Sequence, residues 1–335
     1  MFSANTLSHD YQEGKALLYI ENLTEGKRIQ EIYLCRSRKG AVSKNGKPYE
    51  NVLLQDKTGT LDAKIWDVES PGIEDFDTGD YVEVQGDVSN YQGKLQLSIR
   101  RARKAVEGEY EDKDYLPTSR YHVDEMYDRI IYYIDSVENE YLKKLLESYF
   151  KDEEFQKLFS YHSAAKTVHH GFIGGLLQHT VFVTRICEFL SKQYKVINRD
   201  LLITAALFHD IGKLRELSRF PQNDYTDEGQ LIGHIVVGVE MIDEKIREIE
   251  GFPETLGLEL KHCILAHHGQ YEFGSPKKPA LVEAFALAMA DNLDAKIEVF
   301  TESFEHLKDD NYEWQGFNRL LDSNIRRTHK DYEKK

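Results

Sequence analysis

Cysteine is scarce in this chain: Cys35, Cys187 and Cys263 are three in number and far apart in 335 residues. An odd, dispersed set excludes a disulfide framework or a zinc ribbon and fits a reducing cytoplasm. No run approaches the roughly 18 apolar residues needed to cross a bilayer. The start, MFSANTLSHDYQEGK, has no basic stretch leading into an apolar one, so neither membrane insertion nor secretion is expected. Positive charge is also short. With 43 Lys or Arg against 58 Asp or Glu the net charge is −15, which argues against a protein that coats nucleic acid indiscriminately. Internal repeats and low-complexity runs are absent. What remains is 41% hydrophobic and 30% charged, enough to build two domains with substantial cores.

The acidity is unevenly spread. Between Lys27 and Lys104 there are 14 Lys or Arg against 12 Asp or Glu, a balance of +2, which leaves −17 for the rest. That segment also has its own period. RIQEIYLCRSR, YENVLLQD, GTLDAKIWD, DYVEVQGDV and KLQLSIRR alternate as strands do, and KNGKP, KTG, TGD and YQGK between them are turn signals. Five short strands predict a small closed barrel, a fold that removes exposed edges and commonly presents a face to single-stranded nucleic acid. The polar, acidic stretch EGEYEDKDYLPTSRYH, interrupted by Pro117, reads as a linker. Beyond it the apolar spacing is helical, as in GGLLQHTVFVTRICEFLSKQY and ALVEAFALAMADNLDAKIEVF. The expected organisation is a barrel over 15–106, a linker over 107–120 and an all-α domain over 121–325, with RRTHKDYEKK fraying at the end.

Within the helical half, LFHDIGK ends an apolar run on adjacent His209 and Asp210. His179 in GGLLQHT, His234 in LIGHIVVG, His267 and His268 in LAHHG and Asp291 in AMADNLDAK share the same small, apolar surroundings. Imidazoles and carboxylates are costly to bury unpaired, and divalent metal removes that cost. A carboxylate between two cations gives one oxygen to each, so four His and two Asp suffice for a two-metal cage. Two such cations lower the pKa of a water between them and neutralise phosphoryl oxygens, which is the chemistry of phosphoester hydrolysis. Lys213, four residues after His209, is a candidate contact to the substrate phosphate or leaving oxygen, or a helix-surface lysine. Upstream, KTVHHGFIGGLLQHT places Lys166, His169 and His170 before Gly174 and Gly175. The glycines admit close approach of either a phosphate or another helix, and Lys166 and His170 are candidate phosphate ligands.

The order His, His-Asp, His, His, Asp resembles the HD superfamily of metal-dependent phosphohydrolases in its longer version with two extra histidines. The resemblance implies one metal on His179, His209, Asp210 and Asp291 and a second on Asp210, His234 and His267, with Asp210 bridging. His268 is the alternative to His267, and Asp294, one turn after Asp291, is a further ligand or a supporting group.

Site chemistry alone leaves open a nucleotide phosphatase, a cyclic-dinucleotide phosphodiesterase and a nuclease. A base-stacking barrel requires exposed aromatics beside positive charge, and Trp66, Tyr91, Arg36, Lys94 and Arg100 are the candidates. In AKIWD, alternation puts Ala63 and Ile65 on one face and Lys64 and Trp66 on the other, while Tyr33 and Tyr81 serve equally as core. The barrel with GKPYENVLLQDKTGTLDAKIWD and GDYVEVQGDVSNYQGKLQLSI, followed by the helical domain with HHGFIGGLLQHT, HDIGK and HHGQYEFGSPKKP, resembles the YhaM-type 3′-to-5′ exoribonucleases of Gram-positive bacteria. HHGQYEFGSPKKP departs from the Gly-Tyr-Pro signature of cyclic-di-GMP phosphodiesterases.

This second resemblance implies a multidomain fold, a small all-β OB-fold barrel followed by an all-α HD domain. It implies hydrolysis of single-stranded RNA, and some single-stranded DNA, from the 3′ end to nucleoside monophosphates. Two divalent ions are implied, Mn²⁺ first, with Mg²⁺, Co²⁺ or Fe²⁺ as alternatives, together with a homo-oligomer. The competing readings are an HD-type nucleotide or cyclic-dinucleotide phosphohydrolase with a regulatory barrel, and a nonenzymatic nucleic-acid-binding adaptor.

Overall fold

The computed structural model describes residues 17–166, 170–305 and 307–329. The first 15 residues, on which the expectation about secretion was read, His169 and the last six residues of the fraying segment lie outside the described residues. The chain divides into two compact units, with the division between Leu116 and Pro117.

The first unit is a closed barrel of β1 (Arg28–Val42), β2 (Pro48–Asp56), β3 (Gly59–Ile65), β4 (Tyr81–Tyr91) and β5 (Lys94–Lys104), in the order β1-β2-β3-β5-β4. The β3–β5 pairing is parallel and the rest antiparallel. Closure depends on the 15-residue β1, whose first half pairs with β4 and whose second half pairs with β2 across a bulge at Cys35 and Ser37. A second irregularity falls at Gln85 and Gly86. Glycine is required there because a Cβ on Gly86 would stand 2.2 Å from the Ser98 carbonyl oxygen. Alternation fills the barrel as expected: Leu61, Ala63 and Ile65 point into a core with Tyr33, Leu54, Val84 and Leu97, and Trp66 points out. Tyr33 and Tyr81 are both core residues.

The acidic stretch after β5 does not leave the barrel at once. Ala105 N–H donates to the Tyr81 carbonyl, the Tyr110 ring stacks on Tyr81 at 3.8 Å, and Tyr115 and Leu116 are buried. Residues 107–116, expected as linker, thus pack on the barrel unit through their aromatic rings.

The second unit contains α1 (Val123–Asp135), α2 (Glu140–Phe150), α3 (Glu153–Tyr161), α4 (Gly175–Gln193), α5 (Arg199–Phe208), α6 (Lys213–Glu216), α7 (Asp227–Leu231), α8 (His234–Glu248), α9 (Glu254–Leu265) and α10 (Val282–Glu305). Side-chain caps start several of them: Asn139, Asp152 and Asn198 accept from backbone N–H groups of the first turns of α2, α3 and α5. Every residue of α5 from Leu201 to Phe208 is buried, and this helix packs against α4, α9 and α10. A helix apolar on all sides belongs at the centre of its domain, so whatever follows α5 is delivered into the interior. After α10 the chain forms a small hairpin, β6 (Phe317–Asn318) with β7 (Ser323–Asn324). Arg327 then donates to the Phe304 and Lys308 carbonyls and His329 stacks on Tyr312 at 4.1 Å. The chain is therefore packed through His329, further than the expected fraying allowed.

Candidate metal centre

The LFHDIGK segment ends α5 at Phe208, turns through His209–Gly212 and restarts as α6 at Lys213. The helix does not continue past His209. The turn works because residue 212 is glycine: a Cβ there would lie 2.0 Å from the His234 carbonyl oxygen at the start of α8. That close approach sets His234 opposite Asp210. His179 comes from α4, His267 from the turn two residues beyond α9, and Asp291 and Asp294 from consecutive turns of α10. Five segments that are distant in sequence therefore converge, and His179, His209, Asp210 and His267 are all buried.

Hydrogen bonds fix the state of the four imidazoles. The Nδ1 of His209 faces the Ala206 carbonyl at 2.8 Å, and that of His267 faces the Ile264 carbonyl at 2.7 Å. His179 Nδ1 meets Asp294 Oδ2 at 2.7 Å and His234 Nδ1 meets Glu216 Oε1 at 2.9 Å. Oxygen acceptors at all four positions take a proton from Nδ1, which turns the Nε2 of each ring inward, where its lone pair can serve a cation. The four Nε2 atoms surround the Asp210 carboxylate in two pairs. Those of His179 and His209 are each 3.4 Å from Oδ2. Those of His234 and His267 are 3.5 and 3.7 Å from Oδ1. Asp291 Oδ1 stands 3.1 Å from His179 Nε2 and completes the first pair.

This donor set fits divalent metal. The Nε2 atoms of His179 and His209 are 3.1 Å apart, a spacing that a shared proton or a shared cation satisfies. Two donors held about 2.1 Å from a shared ion at a right angle would lie about 3.0 Å apart. Asp210 Oδ1, His234 Nε2 and His267 Nε2 are buried with no hydrogen-bond partner among the described residues, and a cation bound between them would satisfy all three. His170, His179 and Asp294 also bring ligand atoms together, but hydrogen bonds explain that group: Asp294 Oδ2 accepts from His179 and, at 3.1 Å, from His170 Nε2. Asp294 thereby orients a ligand from behind, as Glu216 does.

The electrostatics follow the same division. Burial opposes ionisation of Asp210, yet Lys213 and His209 outweigh it and hold the carboxyl well below the usual range. Asp291, opposed by burial and favoured by His179, is also held low. Asp294 is lowered to about 2 against burial by the His170 and His179 N–H groups. Burial works against a charge on His179, but Asp291 and Asp294 overcome it and push the ring up to about 10. A proton and a metal therefore compete for the same Nε2. His267 is driven well below its ordinary value by burial, with His268 and His209 adding to it.

Beside the carboxylates lies a cleft of about 450 Å³ lined in part by His170, His179, Lys213, His268, Phe273 and Asp291. Lys213 reaches it although the helix breaks: its Nζ is 2.6 Å from Asp210 Oδ2. His170 is buried at a left-handed φ of 60°. Its backbone is held against α4 because Gly175 has no Cβ; one added there would be 2.0 Å from the His170 carbonyl oxygen. His268 is half-buried, with Nδ1 bonded to the Phe273 carbonyl at 2.8 Å. Lys166 stands apart, exposed and paired with Asp224 at 2.6 Å. Glu216 was not anticipated; its one sequence signal is an acid in LRE, within a helical turn of Lys213.

On the barrel, Trp66 and Tyr91 are 53% and 60% exposed, and Trp66 stacks on Tyr49 at 5.1 Å. Arg36 and Lys94 are exposed on β1 and β5. Arg100 pairs with Asp87 and, with Arg28 and Arg101, lines a concavity of about 420 Å³.

Comparison with known proteins gives two family matches, an HD domain over residues 176–296 and an OB-fold nucleic acid binding domain over 32–105. The chain is 37% identical to the 3′-5′ exoribonuclease YhaM of Geobacillus sp. (strain WCH70), over 84% of this chain and 87% of the relative. It is 34% identical to that of Bacillus subtilis (strain 168), over 86% and 91%, and 35% identical to that of Listeria innocua, over 84% and 90%.

Proposed function

Because the chain belongs to the YhaM family of 3′-5′ exoribonucleases, we propose that its helical unit shortens single-stranded RNA from the 3′ end at the centre built on Asp210. The observation that carries this reading is the division of the Asp210 carboxylate, one oxygen facing His179 and His209 and the other facing His234 and His267. His179, His209, Asp210 and Asp291 would hold one divalent ion and Asp210, His234 and His267 a second, with Mn²⁺ the proposed metal. Bound there, the ions supply Lewis acidity toward phosphoryl oxygens and acidify water.

The chain's own groups prepare the rest. The four Nδ1 hydrogen bonds lock each imidazole before substrate arrives, so no reorganisation is required at the moment of reaction. Lys213, raised above the usual lysine value by Asp210 against the effect of burial, keeps its ammonium charge in the cleft for a phosphoryl or leaving oxygen. His170 lines the same cleft beside it.

The barrel holds the strand by stacking bases on Trp66 and Tyr91 near Arg36, Lys94 and Arg100, and tethering then raises the local concentration of RNA for an otherwise acidic protein. Single-stranded DNA is a further substrate in this reading. A cytoplasmic location is supported by three buried, unpaired cysteines; among the described residues no helix is long and apolar enough to cross a membrane. Self-association is supported by α10, where Phe285, Met289, Leu293 and Ile297 form an apolar stripe 45–57% exposed.

The test is to incubate 5′-labelled single-stranded RNA with the protein and Mn²⁺ beside an Asp210→Ala control. A ladder receding from the 3′ end, absent in the control and in chelator, is expected. Intact RNA with both proteins overturns the reading.

A further inference from the structure

The loop joining α9 to α10 exposes two aromatic rings at the edge of the cleft. Tyr271 and Phe273 are 58% and 66% exposed, and Phe273 lines the cleft beside the carboxylates. The loop is nevertheless fixed. Tyr271–Phe273 form a 3₁₀ turn between Gly269 and Gly274, at φ of 75° and 83°, where only glycine is unstrained. His268, whose ring packs 4.4 Å from His267, bonds through Nδ1 to the Phe273 carbonyl. The buried Ser275 hydroxyl lies 3.0 and 2.7 Å from the Leu265 and Lys277 carbonyls. The Lys278 ammonium sits 5.3 Å from the Tyr271 ring centre, and Lys277 is exposed beside it, with Glu272 the one acid among these exposed side chains.

A fixed aromatic edge with a lysine ammonium beside it suits a ligand that is planar and apolar at one end and anionic at the other. Resting on the exoribonuclease reading, we propose that Phe273, flanked by Tyr271, is the stacking platform for the base of the 3′-terminal nucleotide. Every base offers a π-face, so a platform recognises all four, as an enzyme that removes each nucleotide in turn requires. A preordered ring also avoids most of the entropic cost of closing on a ligand.

The experiment compares wild type, Phe273→Ala and Phe273→Trp, each as the full chain with Mn²⁺. The substrates are a single-stranded RNA and the same RNA ending in an abasic ribose. Phe273→Ala is expected to raise KM on the intact RNA roughly 5- to 150-fold, the range of one lost stacking contact, with kcat changed far less. Phe273→Trp restores KM, and on the abasic RNA all three proteins coincide. An unchanged KM in Phe273→Ala, or an equal loss on both RNAs, overturns the platform while leaving the exoribonuclease reading intact. Wild type that degrades neither RNA overturns both.

Discussion

Replacing Glu216 by Gln isolates the contribution of a group that touches no candidate metal position. Glu216 Oε1 accepts two hydrogen bonds from His234, one from Nδ1 at 2.9 Å and one from the backbone N–H at 3.0 Å. Both side chains are mostly buried, at 12% exposure each, so solvent screens the pair little. Burial opposes the Glu216 charge, and His234 lowers its pKa in spite of that. Glutamine keeps an acceptor oxygen in place and removes only the charge. The difference between a charge-assisted and a neutral hydrogen bond is about 1–1.5 kcal/mol, or roughly tenfold in an equilibrium constant. Glu216→Gln should therefore weaken Mn²⁺ about tenfold at the position served by His234 and His267, leaving the other position unchanged. Glu216→Ala, which also uncaps α8, should weaken it by about 10- to 100-fold. Equilibrium dialysis with Mn²⁺ and the Mn²⁺ dependence of RNA hydrolysis report this, with circular dichroism as the control on folding. A Glu216→Gln protein that binds both ions as wild type does would refute the claim that this carboxylate sets the ligand.

Gly212→Ala should destabilise the helical unit by about 3 kcal/mol, because its Cβ would meet the His234 carbonyl at 2.0 Å and the Gly238 nitrogen at 2.7 Å. A thermal melt should drop by roughly 6–12 °C, and an unchanged melt contradicts the packing argument. Mn²⁺ affinity should rise with pH, since the proton that His179 retains up to about 10 must leave Nε2 before metal binds. One displaced proton corresponds to about tenfold per pH unit below that value, and a flat profile between pH 6.5 and 8.5 would exclude it. Trp66→Ala should weaken binding of single-stranded RNA by roughly 5- to 150-fold through lost stacking. Hydrolysis of bis(p-nitrophenyl) phosphate, which is too small to need the barrel, should stay constant; a parallel fall in both would place Trp66 in the fold instead.

Much of the architecture is legible because it is periodic. The β3 alternation that buries Ala63 and Ile65 and exposes Trp66 is a direct consequence of the two-residue strand repeat. The unbroken apolar run before His209 likewise marks a central helix. The residues that converge on Asp210 were recognisable by type and order, since buried imidazoles and carboxylates need a common partner. Three of their four supports were not. Two of the four Nδ1 acceptors are the carbonyls of Ala206 and Ile264, and a main-chain oxygen has no residue identity to read. Glu216 looks like an ordinary helix acid until the fold sets it behind His234, whereas Asp294, behind His179, was singled out by its place one turn after Asp291. The packing of Tyr110 and Tyr115 on the barrel was concealed by the acidic residues around them. The break after His209 depends on a carbonyl of α8 that is distant in sequence.

The central claim is that one carboxylate, Asp210, joins two cation positions, and the direct measurement is the number of Mn²⁺ ions retained per chain by wild type, His234→Ala, Asp291→Ala and Asp210→Ala after equilibrium dialysis. Two ions in wild type, about one in His234→Ala and Asp291→Ala, and fewer than one in Asp210→Ala, with all four proteins folded, is the predicted result. A single ion in wild type, or two in Asp210→Ala, would contradict it.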